Sequence, residues 1–267
     1  MTVALIDADI IVYESAYRCQ TKVDWDGDGT EVPTASFPNA VEDFKATIEF
    51  IARRTGADEG LLALTDSDRS ANFRRKLWPA YKEHREGKGD GRPLLYTALR
   101  EWVRKEYVVK EIPGIEGDDT IGILATGNIN GLPEDTDERV ICSVDKDMLT
   151  IAGRHFNWRK EEEGIVRVTE EEAWYNLMTQ TLVGDSTDNY PGLPGVGPVK
   201  AFRFLATLSE LPPWAQWEEV EALFEERGLT KEDALIQARC ARILQADDWN
   251  FETKTVRLWT PPEDIGV

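Results

Sequence analysis

VALIDAD, residues 3–9, decides the fold: an apolar run from Val3 to Ile6 stops abruptly on the acid Asp7. Three further runs of the same kind follow, LLAL at 61–64, YVVKEI at 107–112 and VICSV at 140–144. Helix-period stretches lie between them. Val41, Phe44, Ile48 and Ile51 recur on one helix face and end at Gly56, and Leu94, Leu95, Ala98, Leu99, Trp102 and Val103 form a second such stretch. Short apolar runs alternating with helices predict an α/β domain with a mainly parallel central sheet. From Thr169 the pattern turns helical. Thr169 and Glu172 have capping-box spacing, a helix is predicted from Pro198, and two more helical stretches cover about 214–226 and 231–246. The pattern divides the chain near 165–175, giving a core over 1–170 and a helical region over 171–267.

The acids fall where the apolar runs end. Asp7 follows VALI, Asp66 follows LLALT, Asp145 and Asp147 follow VICSV, and Glu116, Asp118 and Asp119 follow YVVKEI after a Pro-Gly turn. In an open parallel sheet the strand ends meet at one edge, where ligands bind, so four carboxylate groups are predicted to converge. Asp145 and Asp147, two apart in extended chain, share a face. In GIEGDDTIG the acids sit at a predicted helix start, which the macrodipole favours. Asp185 and Asp188, three apart in LVGDSTDNYPGLPGVGPVKA (182–201), are predicted to share a helix face. Taken singly, any of these is explained as a solvated loop acid or an N-cap. Taken together they are not: two carboxylates about 6 Å apart at an effective dielectric of about 20 repel by roughly 3 kcal/mol, and eight or nine in one cleft would exceed a domain's stability. The set requires cations, and oxygen donors without His or Cys select Mg²⁺ or Mn²⁺ over zinc. His84 and His155 are the two histidines, and neither is expected near the acids.

Composition bounds the remaining classes. The 267 residues, 41% of them hydrophobic, suffice for a substantial core. A net charge of −19 argues against simple polyelectrolyte binding to nucleic acid, yet between Arg69 and Lys110 the balance reverses to basic. No apolar run is long enough for a membrane span and the N-terminus lacks a secretory pattern, so a cytoplasmic protein with no membrane partner is expected. Cys19, Cys142 and Cys240, odd in number and widely spaced, indicate neither disulfides nor a zinc site. DWDGDGTE at 24–31 imitates a calcium loop, but position 12 is Ala35 and Pro33 intervenes, so a β-ribbon turn is expected there.

VALIDADIIVYESAY, TDSDRSANFRRKLWPAYKEHR, PGIEGDDTIGILA, VICSVDKDML and LVGDSTDNYPGLPGVGPVKA resemble, in the same order, the successive motifs of the 5′-nuclease family. That family comprises flap endonucleases, the 5′-nuclease domain of bacterial DNA polymerase I and stand-alone phage 5′-to-3′ exonucleases; the short chain is most similar to the last. The resemblance implies a PIN-like core followed by a helix-three-turn-helix region. It implies structure-specific hydrolysis of DNA near a 5′ end, leaving a 5′-phosphate, with two divalent ions, Mg²⁺ or Mn²⁺. Asp7, Asp66, Glu116 and Asp118 would hold the first ion with Asp119 beside it, and Asp145, Asp147, Asp185 and Asp188 the second. Lys82, Arg85 and Arg74 would assist at the phosphate, and Tyr81 would stack on the terminal base. Residues 76–95 would form a short arch over the site. In the turn 188–201 the amides of Gly192, Gly195 and Gly197 would meet phosphate, with K⁺ as a bridging candidate, while Lys200 reaches the same strand. The implied partners are DNA with a 5′ end, flap or nick, or an RNA primer on a hybrid, met by a monomer in replication, primer removal or DNA degradation. Two rivals stay open: a PIN-type ribonuclease, which shares the acid-lined sheet, and a structure-specific DNA-binding module without catalysis.

Overall fold

A computed structural model describes residues 1–85 and 91–264. In chain order the elements are β1 (Val3–Asp7), α1 (Ala8–Arg18), β2 (Gln20–Val23), β3 (Val32–Ala35), α2 (Phe37–Thr55), β4 (Glu59–Ala63), α3 (Arg74–Leu77), α4 (Tyr96–Glu106), β5 (Val109–Lys110), α5 (Gly117–Thr126), β6 (Arg139–Cys142), β7 (Gly153–Phe156), β8 (Ile165–Val168), α6 (Glu170–Val183), α7 (Pro198–Ala206), α8 (Pro213–Glu226), α9 (Lys231–Ala241), β9 (Trp249–Asn250) and β10 (Thr255–Val256). One sheet has the order β5-β4-β1-β6-β7-β8, parallel throughout except for the antiparallel β7–β8 pair. β1 is central, and all five of its residues are buried, as a strand covered on both faces must be.

Alternation along the strands sends side chains to two apolar layers. Ala4, Ile6, Leu62 and Val140 face α1, α2 and α4 through Ile11, Val12, Phe44, Ile51, Leu99 and Val103. Val3, Leu5, Ala63 and Ile141 face α5 through Ile121, Leu124 and Ala125. The helical region has its own core, in which Leu177, Leu182, Leu205, Trp217, Phe224 and Ala238 pack together. The ribbon predicted around 24–31 is present: β2 and β3 pair antiparallel on either side of it. Among the described residues, no helix is long and apolar enough to cross a membrane.

Three readings are corrected. YVVKEI contributes only Val109–Lys110 to the sheet. β7 (GRHF) and β8 (IVRV), four residues each, are absent from the predicted pattern, β7 because it has one large apolar residue and β8 because its apolar run is only Ile165 and Val166 before Arg167. The helix expected over 231–246 ends at Ala241, where Arg242 turns extended (φ −68°, ψ 123°). The reason is tertiary: the chain beyond it crosses α5, and a Cβ on Gly122 would lie 2.2 Å from the Leu244 carbonyl oxygen. Ile243 and Leu244 thereby join the apolar layers of the first half, so the two halves interlock.

Candidate metal centre

The carboxyl ends of the parallel strands open on one cleft of about 1110 Å³, lined by Asp7, Asp66, Glu116, Asp118, Asp145, Asp147, Asp185 and Asp188. Acids from four separate strand ends and from the α6–α7 loop therefore do converge. Asp7 is 2% exposed. It ends β1 and caps α1, one carboxylate oxygen accepting from the Ile10 amide at 3.5 Å and the other from the Ser143 hydroxyl at 2.8 Å. Asp66 is braced by the amides of Gly114 (2.9 Å) and Asp68 (3.0 Å).

Two local geometries differ from expectation. Asp145 and Asp147 do not lie in extended chain: Asp145 caps a tight turn over Lys146–Thr150, accepting the Asp147 amide at 2.9 Å, as an Asp after a strand readily does. Asp185 and Asp188 do not share a helix face. The Asp185 and Tyr190 backbones exchange two hydrogen bonds (2.9 and 3.1 Å), closing a loop in which the Asp185 side chain accepts from the amides of Thr187 (2.6 Å) and Asp188 (3.2 Å). This loop folds back on Gly184 and Gly192, at φ 71° and 62°; a Cβ on Gly192 would sit 2.3 Å from the Gly184 nitrogen.

Burial and mutual repulsion dominate the electrostatics. Burial, then the neighbouring Asp9 and more weakly Asp145, pushes Asp7 up to about 7. Burial, then Asp7, Asp145 and Glu116, holds Asp118 well above the ordinary carboxylate range. Burial, then Asp145, and further Asp185 and Asp188, pushes Asp147 up to about 7 against the opposing Lys146. Glu116 goes the other way: burial would raise it, but Lys82 and Arg74 outweigh that and bring it to about 2. The Lys82 ammonium lies 2.5 Å from Glu116 and 3.3 Å from Asp188.

The Lys82 end of the cleft is stapled to the acid loop. The Lys82 amide donates to the Asp188 carbonyl (2.8 Å), the Asn189 amide side chain to the Ala80 carbonyl (2.7 Å), and the Trp78 indole to the Asn189 carbonyl (2.8 Å). These bonds hold Lys82 at φ 53°, a left-handed conformation that costs a non-glycine residue of order 1–3 kcal/mol. The chain's own cation is thus held over Glu116 and Asp188.

Several site expectations are corrected. Arg74 does not face the cleft. It is 2% exposed, its guanidinium bonds both oxygens of Asp119 at 2.7 Å, and it also donates to the carbonyls of Cys240 (3.1 Å) and Arg242 (2.6 Å). Asp119, fully buried, is consumed by Arg74 and by the Leu244 amide (3.0 Å), and so stands behind the cleft wall. Tyr81 is 2% exposed, its ring near the Arg74 and Lys82 cations (5.8 and 5.0 Å), so no base can stack on it in this conformation. Its hydroxyl instead contacts Glu116 and Asp188, each at 2.9 Å, linking the two predicted acid groups. Gly192 donates its amide to the Gln237 side chain (2.9 Å), which leaves Gly195 and Gly197 as the exposed glycines of that turn. The Lys200 ammonium donates to the Gly195 carbonyl at 2.7 Å. His84, against expectation, lines the cleft. The side chain of Arg85 and the arch segment 86–90 lie outside the described residues.

Residues not singled out from sequence also matter. Asp9 lines the cleft, accepts the Thr65 amide at 2.6 Å and repels Asp7. Its signal was available, because DAD has the same two-residue spacing as DKD. Ser143, which donates to Asp7 and accepts the Asp145 amide (3.1 Å), carried no such signal. Lys146 lies 3.8 Å from Asp147 and 3.7 Å from Asp185.

The eight assigned acids are oxygen donors, which fit hard cations, and Asp7 and Asp147 stay pushed up to about 7 although Lys146 lies 3.8 Å from Asp147. Among the described residues, no three such side chains are already drawn together at ligand spacing. Their mutual repulsion opposes that approach. The unfolded carboxyls of Asp7 and Asp147 ionise near about 4, whereas the folded ones keep their protons to about 7, so the stability of the cation-free protein falls as pH rises through that interval. A bound divalent ion removes this penalty. Mg²⁺ is therefore expected to raise the melting temperature more at pH 8 than at pH 5.5, measured by differential scanning fluorimetry; an equal rise at both would contradict the site.

Residues 2–178 match the family described as 5′-3′ exonuclease, N-terminal resolvase-like domain. The exodeoxyribonuclease of Enterobacteria phage T3 is 30% identical over 230 residues, covering 75% of this chain and 73% of that protein. The exonuclease of Escherichia phage T7 is 27% identical over 290 residues, covering 97% of this chain and 93% of that protein. The fold resembles that of the bacteriophage T5 D15 flap endonuclease, solved as a pseudo-enzyme-product complex with DNA and metal ions, with a TM-score of 0.55 at 16% identity over 90% of this chain and 91% of that one.

Proposed function

The chain belongs to the 5′-3′ exonuclease family, and from that premise we propose that its acid-lined cleft hydrolyses DNA phosphodiester bonds beside a free 5′ end, flap or nick with the help of two divalent cations. One observation carries the reading: Asp7, Asp118 and Asp147, on different segments, share a cleft in which burial and the charge of neighbouring acids, Asp145 in every case, hold all three above the ordinary carboxylate range. Acids so arranged are a demand for positive charge, and a phosphodiester reaction is where such charge is useful.

Asp7, Asp66, Glu116 and Asp118 are the residues we assign to one ion, and Asp145, Asp147, Asp185 and Asp188 to the other. Mg²⁺ or Mn²⁺ held there would activate the attacking water and offset negative charge on the phosphate and the leaving oxygen. The protein's own groups do the rest. Lys82, poised over Glu116 and Asp188, brings a positive charge to the cleft that can turn to a phosphate oxygen when the acids are otherwise neutralised. The Tyr81 hydroxyl sits between Glu116 and Asp188, and its one proton serves either carboxylate. On the far side of the acid loop, the exposed Gly195 and Gly197 backbone and Lys200 form a sequence-blind contact for the duplex beyond the cut. Such backbone contacts suit a DNA 5′ end, and they suit an RNA primer on a hybrid equally.

The test is cleavage of an end-labelled flap, a nicked duplex, an RNA-primed hybrid and single-stranded RNA, each with and without Mg²⁺. Expected are Mg²⁺-dependent products with 5′-phosphates from the flap and nicked DNA. Cutting confined to single-stranded RNA would transfer the assignment to a ribonuclease, and tight flap binding without cleavage in Mg²⁺ would leave only a binding module.

A further inference from the structure

α6 leads directly into the loop that carries Asp185 and Asp188, and it packs against the Lys146–Thr150 turn that carries Asp147. Two side-chain amides on this helix, four residues apart and so on one face, reach that turn. Asn176 donates to the Leu149 carbonyl at 2.9 Å, and Gln180 donates to one carboxylate oxygen of Asp147 at 3.0 Å. The direction of the Gln180 amide follows from the charge that a cation ligand must carry: an ionised Asp147 only accepts, so the NH₂ group faces it. The other end of the amide, Oε1, is then buried with no hydrogen-bond partner among the described residues. Folding tolerates an orphaned acceptor there in exchange for a charge-assisted bond to Asp147.

We propose that Gln180 is a positioning residue, holding one oxygen of Asp147 so that the other stays turned to the cleft as a cation ligand at a set distance from Asp185 and Asp188. The inference rests on the two-cation reading above. An amide suits the task because it donates without charge. A lysine or arginine at this contact would hold Asp147 as firmly, yet it would neutralise the charge that a cation needs. Because Gln180 and Asp185 stand on one helix and the loop it leads into, a single rigid element sets the spacing of acids from two distant parts of the chain.

The experiment is Mn²⁺ binding to the DNA-free protein by titration calorimetry, for the parent chain, Gln180→Met, Asp147→Asn and the double variant, alongside flap-DNA affinity in Ca²⁺ and thermal melting. Gln180→Met keeps the side chain's size and removes the donor. It is expected to weaken the affected Mn²⁺ affinity by roughly tenfold, the lower end for a group that orients a ligand, with DNA affinity held within about twofold. In the Asp147→Asn background it should add nothing, as for two residues acting through one contact. Unchanged Mn²⁺ affinity in Gln180→Met beside a weakened Asp147→Asn overturns the role of Gln180 alone, and so does an additive loss in the double variant. Unchanged affinity in Asp147→Asn overturns the assignment of Asp147 itself. Should Gln180→Met fail to fold, Gln180→Ala carries the same expectations.

Discussion

Asp145→Ala is expected to reduce cleavage of flap DNA by about a thousandfold or more, a loss proportionate to removing a ligand from a metal-assisted hydrolysis, while the protein still binds the flap in Ca²⁺. Asp145 is the acid whose charge reaches both predicted groups: it repels Asp7, Asp118 and Asp147 alike. Removing it weakens the attraction for either cation at once. The side chain also caps its own turn through the Asp147 amide, and loss of a cap destabilises by about 1 kcal/mol, too little to unfold a domain. Asp145→Asn separates the two effects, because the amide oxygen still accepts that bond but the charge is gone. Both variants should therefore lose rate together, measured in single-turnover assays with saturating enzyme. Parent-like cutting by Asp145→Ala would end the two-cation assignment, and recovery in Asp145→Asn would assign the loss to the cap.

Arg74→Met is expected to act on stability more than on chemistry. Arg74 and Asp119 are 2% and 0% exposed and face each other through two bonds of 2.7 Å. Deleting one member of such a pair leaves a buried, uncompensated charge and typically costs about 3–5 kcal/mol, a large fraction of the roughly 5–15 kcal/mol that holds a domain folded. The carbonyls of Cys240 and Arg242 lose their donor too, so the α9 end of the helical region loosens from the core. Replacing both partners, as Arg74→Met with Asp119→Leu, should recover part of the loss. The recovery is incomplete because the Leu244 amide also depends on Asp119. Urea denaturation monitored by tryptophan fluorescence measures both. A parent-like midpoint with lost cleavage would instead restore Arg74 to the phosphate.

How much of this was written in the sequence depends on what kind of physics each feature obeys. The strands at 3–7 and 59–63 and helices such as 37–55 are local: period and composition suffice, and the Gly56 stop appears as a left-handed cap at φ 65°. The convergence of the acids also followed from a general rule, because strand ends in a parallel sheet share an edge. The end of α9 at Ala241 was not legible, since it is decided by chain crossing over Gly122, far away in sequence. The shift of Tyr81 from surface ring to buried bridge was illegible for the same reason: its neighbours Glu116 and Asp188 are 35 and 107 residues distant.

Sequence alone determined that this chain builds an α/β core whose strand ends carry carboxylates, because hydrophobic period and the position of an acid after a strand are properties of short segments. Tertiary structure alone decided what each acid does. Asp119 and Asp118 are adjacent, yet one is spent on a buried arginine and the other is left in the cleft, where burial and neighbouring acids oppose its ionisation. The difference is not in the residues but in what burial places beside them, since the energy of a charge is set by its surroundings and those come from the whole fold.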